Sequence, residues 1–583
     1  MMQIVKQFLR LVIPYWCSRA SLFSWIIFIA TVATTLGLVQ VTVELNHWNK
    51  AFFDALANFN GELIYQLLVE FIVLVAIIVV MRVYAKWLQQ WVEIRWRSWM
   101  TERLVTRWMS GHNFYHLTLT AEPDNPDQRI AEDIKMLTTD TLKLLIGLIK
   151  SIATLAAFSV ILWQLSSGFL LPLFAGVELP GYLLWLAVLY SIIGAGVTHF
   201  FGRRLHSLFY QQQKREANFR ARLLRNRDHA EQIALMGGQA HEQQVLSRRF
   251  RDIEGNWRSL MSREKKLGIV VNTYHQIAAM VPYFAAIPAL MAKAITIGGV
   301  MQVRMAFMNV YRSLSWFVLS YDDLTRWSAT VVRLAQFVEA MEQCEARAKT
   351  ASRIDTDQGI NADKLTVKTP NGETLLSDVS FILNDRDAVM VRGPSGLGKS
   401  TLLRTLAGIW PFYQGQLAFA SNNTLLLPQT PYLPTGSLRD CLSYPQMSND
   451  DDAVYHAALD AVNLGALIAR LDDECEWSLT LSGGEQQKLA LARAFVQQPA
   501  VLVMDEATSH LDETSAYEIL QRLKTQLANT QIIMVTHQSH LAALFERTLD
   551  LSAFSHKITH HKREGRVESA QENAELGGLI RVP

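Results

Sequence analysis

Cysteine is scarce in this chain of 583 residues. Cys17, Cys344, Cys441 and Cys475 stand far apart without metal-ligand spacing, which excludes a disulfide framework or a zinc module as the organising principle. An excess of one charge is also missing: 55 Lys and Arg against 53 Asp and Glu leave a net +2. That balance excludes a dominant nucleic-acid-binding face, and no nucleic-acid partner is expected. The sequence contains neither an internal repeat nor a low-complexity tract. No small-residue cleavage site follows the first long apolar run near residue 21, so that run is expected to be retained as a helix. What the chain has is apolar length. Half of its residues are hydrophobic and 19% are charged, values that globular proteins share, but the apolar residues cluster before residue 325. The length calls for at least two domains.

Six segments approach or exceed the roughly 20 residues that cross a bilayer core, near 21–43, 64–84, 144–165, 181–202, 268–291 and 299–320. His275, Arg304 and Arg312 interrupt the last two. Residues 1–20 mix Phe8, Leu9, Leu11, Val12, Tyr15 and Trp16 with Lys6, Arg10 and Arg19, as an amphipathic helix on a membrane surface would. The stretches 85–143 and 203–267 hold eight and fifteen Lys/Arg, whereas 44–63, 166–180 and 292–299 hold only Lys50 and Lys293 between them. This asymmetry places both termini and both long loops in the cytoplasm. The long loops read as helical extensions with breaks at Pro123–Pro126 and Gly237–Gly238. The expected domains are an N-terminal helix (1–20), a six-helix membrane domain (21–345), a soluble α/β domain (346–555) and a solvated tail (556–583) containing His556, His560 and His561.

The soluble part carries the chemistry. Gly393-Pro394-Ser395-Gly396-Leu397-Gly398-Lys399-Ser400, followed by Thr401, is a full phosphate-binding loop. It lies between the apolar run Ala388–Arg392 and a helical segment, the context such a loop needs. Its glycines let backbone N–H groups wrap phosphate, Lys399 reaches the outer phosphates, and the Ser400 hydroxyl suits Mg²⁺. A second buried run, Val501–Met504, ends in Asp505 and Glu506, placing two carboxylates at a strand end. Asp505 would hold Mg²⁺ through water, and Glu506 would polarise the attacking water. ATP and Mg²⁺ are therefore the expected cofactors.

Between these elements lies Leu481-Ser482-Gly483-Gly484-Glu485-Gln486-Gln487, and here the sequence resembles the ATP-binding cassette (ABC) family. Gln429, the run Ser509-His510-Leu511-Asp512, and His537 after Ile532–Thr536 match the family's lid-loop glutamine, dimer-contact loop and switch histidine. The resemblance implies an ABC exporter-like membrane domain joined to a P-loop cassette, that is, a multidomain α-helical membrane protein plus α/β. It implies Glu506, His537, Gln429 and Lys399 as catalytic residues and Ser400, Gln429 and Asp505 around the metal. Ser482 and Gly483, with Gly484, would contact the γ-phosphate bound to the opposite protomer. One cassette per chain then requires a pair of chains, a homodimer in the lipid bilayer. One departure stands out: the stretch Leu365–Gly372, where the family usually places an adenine-stacking aromatic, has none.

Leu45–Leu56 (LNHWNKAFFDAL) and Asn125–Asp133 (NPDQRIAED) resemble the branch holding the peroxisomal fatty-acyl half-transporters and the bacterial SbmA/BacA-type peptide-uptake proteins. A bacterial inner membrane location and a peptide-like, fatty-acyl or other amphipathic cargo are what this implies. Asn125–Asp133 would be a coupling element docking on the cassette. In the sixth segment Arg304, Met308 and Arg312 recur at four-residue spacing, with Tyr311 and Ser315 nearby. Two readings stay open: a cavity lining for anionic or amphipathic cargo, or arginines paired with Glu70 or snorkelling to the outer surface. Two rivals remain for the whole chain. One is a regulatory membrane ATPase that moves no cargo; the other is a proton-driven uptake protein with a vestigial cassette, against which the intact Lys399, Glu506 and His537 speak.

Overall fold

A computed structural model describes residues 2–119, 125–167, 171–173, 177–350, 353–355, 359–384, 386–419, 423–449 and 451–554. The expected tail 556–583 lies outside the described residues. The chain divides into two compact units, Met1–Val105 with Asn125–Phe337, and Thr106–Asp124 with Val338–Pro583.

The first unit is built from α1 (Met2–Trp16), α2 (Leu22–Ala57), most of α3 (Gly61–Met109), then, past α4 (Asn113–Leu119), α5 (Ile134–Ser167), α6 (Tyr182–Asp228), α7 (Gln239–Met291), α8 (Ile297–Leu314) and the start of α9 (Tyr321–Thr350). Among the described residues, three helical stretches are long and apolar enough to cross a membrane: Arg19–Ala57, Gly61–Leu119 and Pro126–Ser166; Tyr182–Val197 is a shorter apolar stretch. The fifth expected crossing falls within α7, and the sixth begins in α8. Their lower apolarity reflects packing, because Ala278 and Ala286 of α7 join Val303, Phe307 and Tyr311 of α8 in a core shared with Phe158 and Leu162 of α5. The sixth segment is shorter than expected, for α8 ends at Leu314 and a separate turn, Trp316–Leu319, precedes α9. Beyond their expected crossings α6 and α7 run on as long helices joined by the short helix Ala230–Leu235 and the turn at Gly237–Gly238, where the sequence placed a break.

α1 buries Leu11, Val12 and Tyr15. The Tyr15 ring stacks on Trp96 with centroids 6.1 Å apart. The LNHWNKAFFDAL motif fastens the end of α2 to the start of α8. Asp54 Oδ1 accepts the Gly298 N–H at 2.9 Å, and Asn46 Nδ2 donates to the Gln302 carbonyl at 3.1 Å. An acidic side chain on a free helix N-terminus is the arrangement the helix dipole favours.

The second unit is the α/β domain, with strands β1 (Arg353–Asp355), β2 (Ile360–Lys368), β3 (Thr374–Leu383), β4 (Ala388–Arg392), β5 (Tyr413–Phe419), β6 (Thr424–Leu427), β7 (Val501–Asp505), β8 (Gln531–Val535) and β9 (Arg547–Asp550). One sheet is parallel with order β9-β4-β8-β7-β6; the other has order β1-β5-β2-β3. Strands buried on both faces read as continuous apolar runs, and β7 and β8 are buried at every position. Their side chains alternate between two cores. Leu502, Met504, Ile532 and Met534 enter one, while Val501, Val503, Ile533 and Val535 enter the other.

Asn125–Asp133, expected to dock on the cassette, belongs to the helical unit. Its Asp133 is buried there between Arg129 (2.9 Å) and Arg333 (2.6 Å). The segment grouped with the cassette is Thr106–Asp124. In it Arg107 forms a bidentate pair with Glu345, at 2.7 and 2.8 Å. His116 Nε2 lies 3.1 Å from the Ile409 carbonyl, and Leu119 packs against the cassette core.

Candidate active site

Four neighbouring parallel strands end on one edge of the sheet, and each delivers a piece of the site. Register aligns Val391 with Val535 and Val535 with Asp505, so the residues just past β4, β8 and β7 must converge. Open α/β sheets bind ligands in this position, beyond the carboxyl ends of their strands.

β4 runs into the phosphate loop. Gly396 and Gly398 adopt φ 80° and 104°, a left-handed conformation that other residues reach only at a cost. Gly398 also caps α10 (Lys399–Leu406), turning the free N–H groups of that helix toward the loop. Lys399 is buried. Its Nζ donates to the Gly393 carbonyl at 2.7 Å and stands 3.2 Å from His537 Nε2, the residue just past β8. Ser400 Oγ donates to Asp505 Oδ1 at 3.0 Å. These donors fit the expected ligands: an ammonium folded back on its own loop awaits an anion, and paired hydroxyl and carboxylate oxygens suit a hard divalent cation.

Glu506 follows β7 at φ 51°, in the left-handed region where a non-glycine residue is uncommon. Its Oε2 accepts from Gln429 Nε2 at 3.1 Å, and its Oε1 lies 3.4 Å from His537 Nε2. Lys399, Ser400, Gln429, Asp505, Glu506 and His537 thus form one constellation.

Ser482, Gly483 and Gly484 stand at the start of α11 (Gly483–Gln497) and, among the described residues, form no hydrogen bond with that constellation. Ser482 closes a capping box with Glu485, whose carboxyl its backbone N–H holds below the usual carboxylate range. A residue whose role the sequence did not reveal ties this cradle to the rest. Gln487 is buried; its Nε2 donates to the Gln429 carbonyl (3.2 Å) and Ser509 Oγ (3.0 Å), and its Oε1 accepts the His510 N–H (2.8 Å). Its place in the glycine-rich motif was the available signal. Where an adenine-stacking aromatic was missing, Leu365 and Val367 are fully buried, and the Lys368 carbonyl accepts from Trp410 Nε1 at 2.9 Å.

The family model for the ABC transporter transmembrane region 2 matches residues 8–291, and the ABC transporter model matches 376–509. The inner membrane ABC transporter ATP-binding protein YddA of Escherichia coli (strain K12) is 35% identical, over 94% of this chain and 98% of its own length. This chain belongs to the ABC transporter family. It is an ABC half-transporter: one helical membrane region followed by one ATP-hydrolysing cassette, with hydrolysis coupled to transport. The transporter is also similar to the chloroplastic ABC transporter D family member 2 of Arabidopsis thaliana, 28% identical over 99% of this chain and 90% of that protein. The human lysosomal cobalamin transporter ABCD4 is 27% identical over 94% of both. Among solved structures, a bacterial Atm1-family ABC exporter with ATP bound shares the fold, with a TM-score of 0.72 at 18% identity, over 97% of this chain and 100% of that one.

On the suggested cargo face, neither Arg304 nor Arg312 forms an ion pair with Glu70 among the described residues, and Glu70 is exposed. Arg304 instead stands over the Tyr283 ring, 5.9 Å from its centroid, and its Nε is buried without a hydrogen-bond partner.

Proposed function

We propose that two copies of this transporter clamp ATP between them in a bacterial inner membrane and use its hydrolysis to move an amphipathic, peptide-like or fatty-acyl cargo. The membrane part would be residues 21–345 and the cassette 346–555, with both termini in the cytoplasm. The observation that carries the reading is the division within one cassette: Lys399, Glu506 and His537 converge at the sheet edge, while the Ser482–Gly484 cradle starts another helix and, among the described residues, forms no hydrogen bond with them. A second chain is then needed to bring a cradle against the γ-phosphate.

In this scheme the loop amides and Lys399 hold the phosphates and neutralise charge that grows on the bridging oxygens. Mg²⁺, held by Ser400 and Gln429 with Asp505 acting through water, would supply further charge neutralisation. Glu506 Oε orients the attacking water, and His537, 3.4 Å away, holds that carboxylate in place. Gln429, bonded to Glu506, reports lid-loop position to the reacting centre. Closure and reopening of the paired cassettes would be transmitted through the segment around His116, which packs on the loop after α10.

The test is ATPase activity of the purified transporter in proteoliposomes, screened against peptides, acyl-CoA and lipids, with vectorial uptake measured beside it. Cargo-stimulated hydrolysis and accumulation, both lost in Glu506→Gln, are the expected result. Hydrolysis without accumulation of any cargo would favour a regulatory ATPase, and full-rate uptake by Glu506→Gln would favour a gradient-driven carrier.

A further inference from the structure

Below the apolar part of the bundle, α6 and α7 are laced together by polar rungs. Arg222 pairs with Glu242 at 2.7 Å, Arg215 reaches the Asp252 carbonyl, and Asn256 Nδ2 donates to the Leu208 carbonyl (3.1 Å) and to Gln212 Oε1 (2.8 Å). On α7 the seam residues Ile253, Asn256 and Leu260 are buried at spacings of three and four. The next position on that face is Arg263. An apolar seam would continue there; instead Arg263 borders a cleft of about 650 Å³ lined by α7 and by Ser207 and Leu208 of α6.

The cleft is lined by Arg258, Arg263 and Lys266, by Ser207, Ser259 and Ser262, and by Leu208. Arg258 already has Glu254 at 2.5 Å. Arg263 and Lys266 form no ion pair among the described residues, and the part of α6 before Glu216 contains no acidic residue. Two unpaired cations of α7, with Ser259 and Ser262 beside them and Ser207 of α6 opposite, form a receptor for a phosphate-bearing anion.

The depth of the cleft points to the source of that anion. A hydrocarbon core of about 30 Å entered at Tyr182 is crossed by about 20 helical residues, near residue 201. Ser207 then lies about 8 Å beyond it, in the headgroup layer, which is itself roughly 5–8 Å deep. Lys266 sits two residues before the expected fifth crossing, at the same level. We propose that this cleft binds the phosphodiester of an anionic phospholipid of the inner leaflet. That assignment rests on the cytoplasmic orientation proposed for the long loops, not on ATP hydrolysis.

The experiment uses the full-length transporter reconstituted in phosphatidylcholine with increasing phosphatidylglycerol, and counts retained lipids by native mass spectrometry. Wild type should retain phosphatidylglycerol over phosphatidylcholine. Arg263→Gln with Lys266→Gln should weaken that preference about 30-fold, on the basis of about fivefold per juxtamembrane cation, and the charge-preserving pair Arg263→Lys with Lys266→Arg should keep it. ATPase activity in pure phosphatidylcholine, equal in all three, shows that the variants are folded. Unchanged phosphatidylglycerol retention in the glutamine pair overturns the site. Displacement of the lipid by millimolar glycerol phosphate overturns the lipid source and assigns the cleft to a soluble anion. A wild type that hydrolyses no ATP but retains the lipid overturns the transport reading and leaves this one standing.

Discussion

Gln487 is the joint between the loop of Gln429, the loop Ser509–Asp512 and the helix that carries Ser482–Gly484. Replacing it with Ala removes three hydrogen bonds, to the Gln429 carbonyl, Ser509 Oγ and the His510 N–H. At about 1 kcal/mol net for each, the arrangement that holds Gln429 beside Glu506 loses about 3 kcal/mol, a population shift on the order of 100-fold. Gln487→Glu is more selective. It keeps an acceptor for the His510 N–H but turns a carboxylate oxygen toward the Gln429 carbonyl, so the lid loop alone is repelled. Steady-state ATPase assays should show kcat falling by one to two orders of magnitude in both variants. KM for ATP should move little, because Lys399 and the phosphate loop keep their own contacts. A kcat within twofold of wild type, or a loss lying entirely in KM, would refute this role for Gln487.

Two further outcomes concern buried groups. Burial lowers the His116 pKa, and with Nε2 directed at the Ile409 carbonyl its Nδ1 is buried without a partner. The folded state therefore resists the second proton, so this group's stabilisation is present above the unfolded pKa near 6.5 and is lost as pH falls below it, by at most about 1.4 kcal/mol per pH unit. Melting curves from pH 7.5 to 5.5 should fall less steeply for His116→Gln; identical slopes would contradict this. Asp133 is buried between Arg129 and Arg333, so Asp133→Ala strands two guanidinium groups and should cost about 3–5 kcal/mol. Exposed Asp127→Ala is the control, and equal melting temperatures for the two variants would refute the buried network.

Local patterns made the candidate site readable. Glycines with a following Lys-Ser, and carboxylates closing an apolar run, are encoded within a few residues. Parallel strand order then does the assembling, because neighbouring β4, β8, β7 and β6 leave their C-terminal residues no other place to meet. Features joined across long sequence separations left no such mark. Nothing near Asp133 announces Arg333, and nothing in Thr106–Asp124 announces Glu345 or Ile409. The fourth crossing, 181–202, falls within α6, whose apolar part Tyr182–Val197 was visible as a run. The fifth and sixth were less so, since helices that pack on one another through Ala278, Ala286 and Val303 need not be apolar throughout. Arg304 was legible as a misfit but not as a partner of Tyr283, because a ring on another helix leaves no local signal.

If each catalytic site is shared between two chains, mixed dimers will reveal it. Lys399→Ala disables the phosphate loop and Ser482→Arg the cradle, so each homodimer has two broken sites. In a dimer of one chain of each kind, a shared site gathers both defects in one place and leaves the other site whole. ATPase activity well above either homodimer, approaching half of wild type, is the predicted result; a mixed dimer as inactive as its parents would place the whole site within one chain and contradict the account.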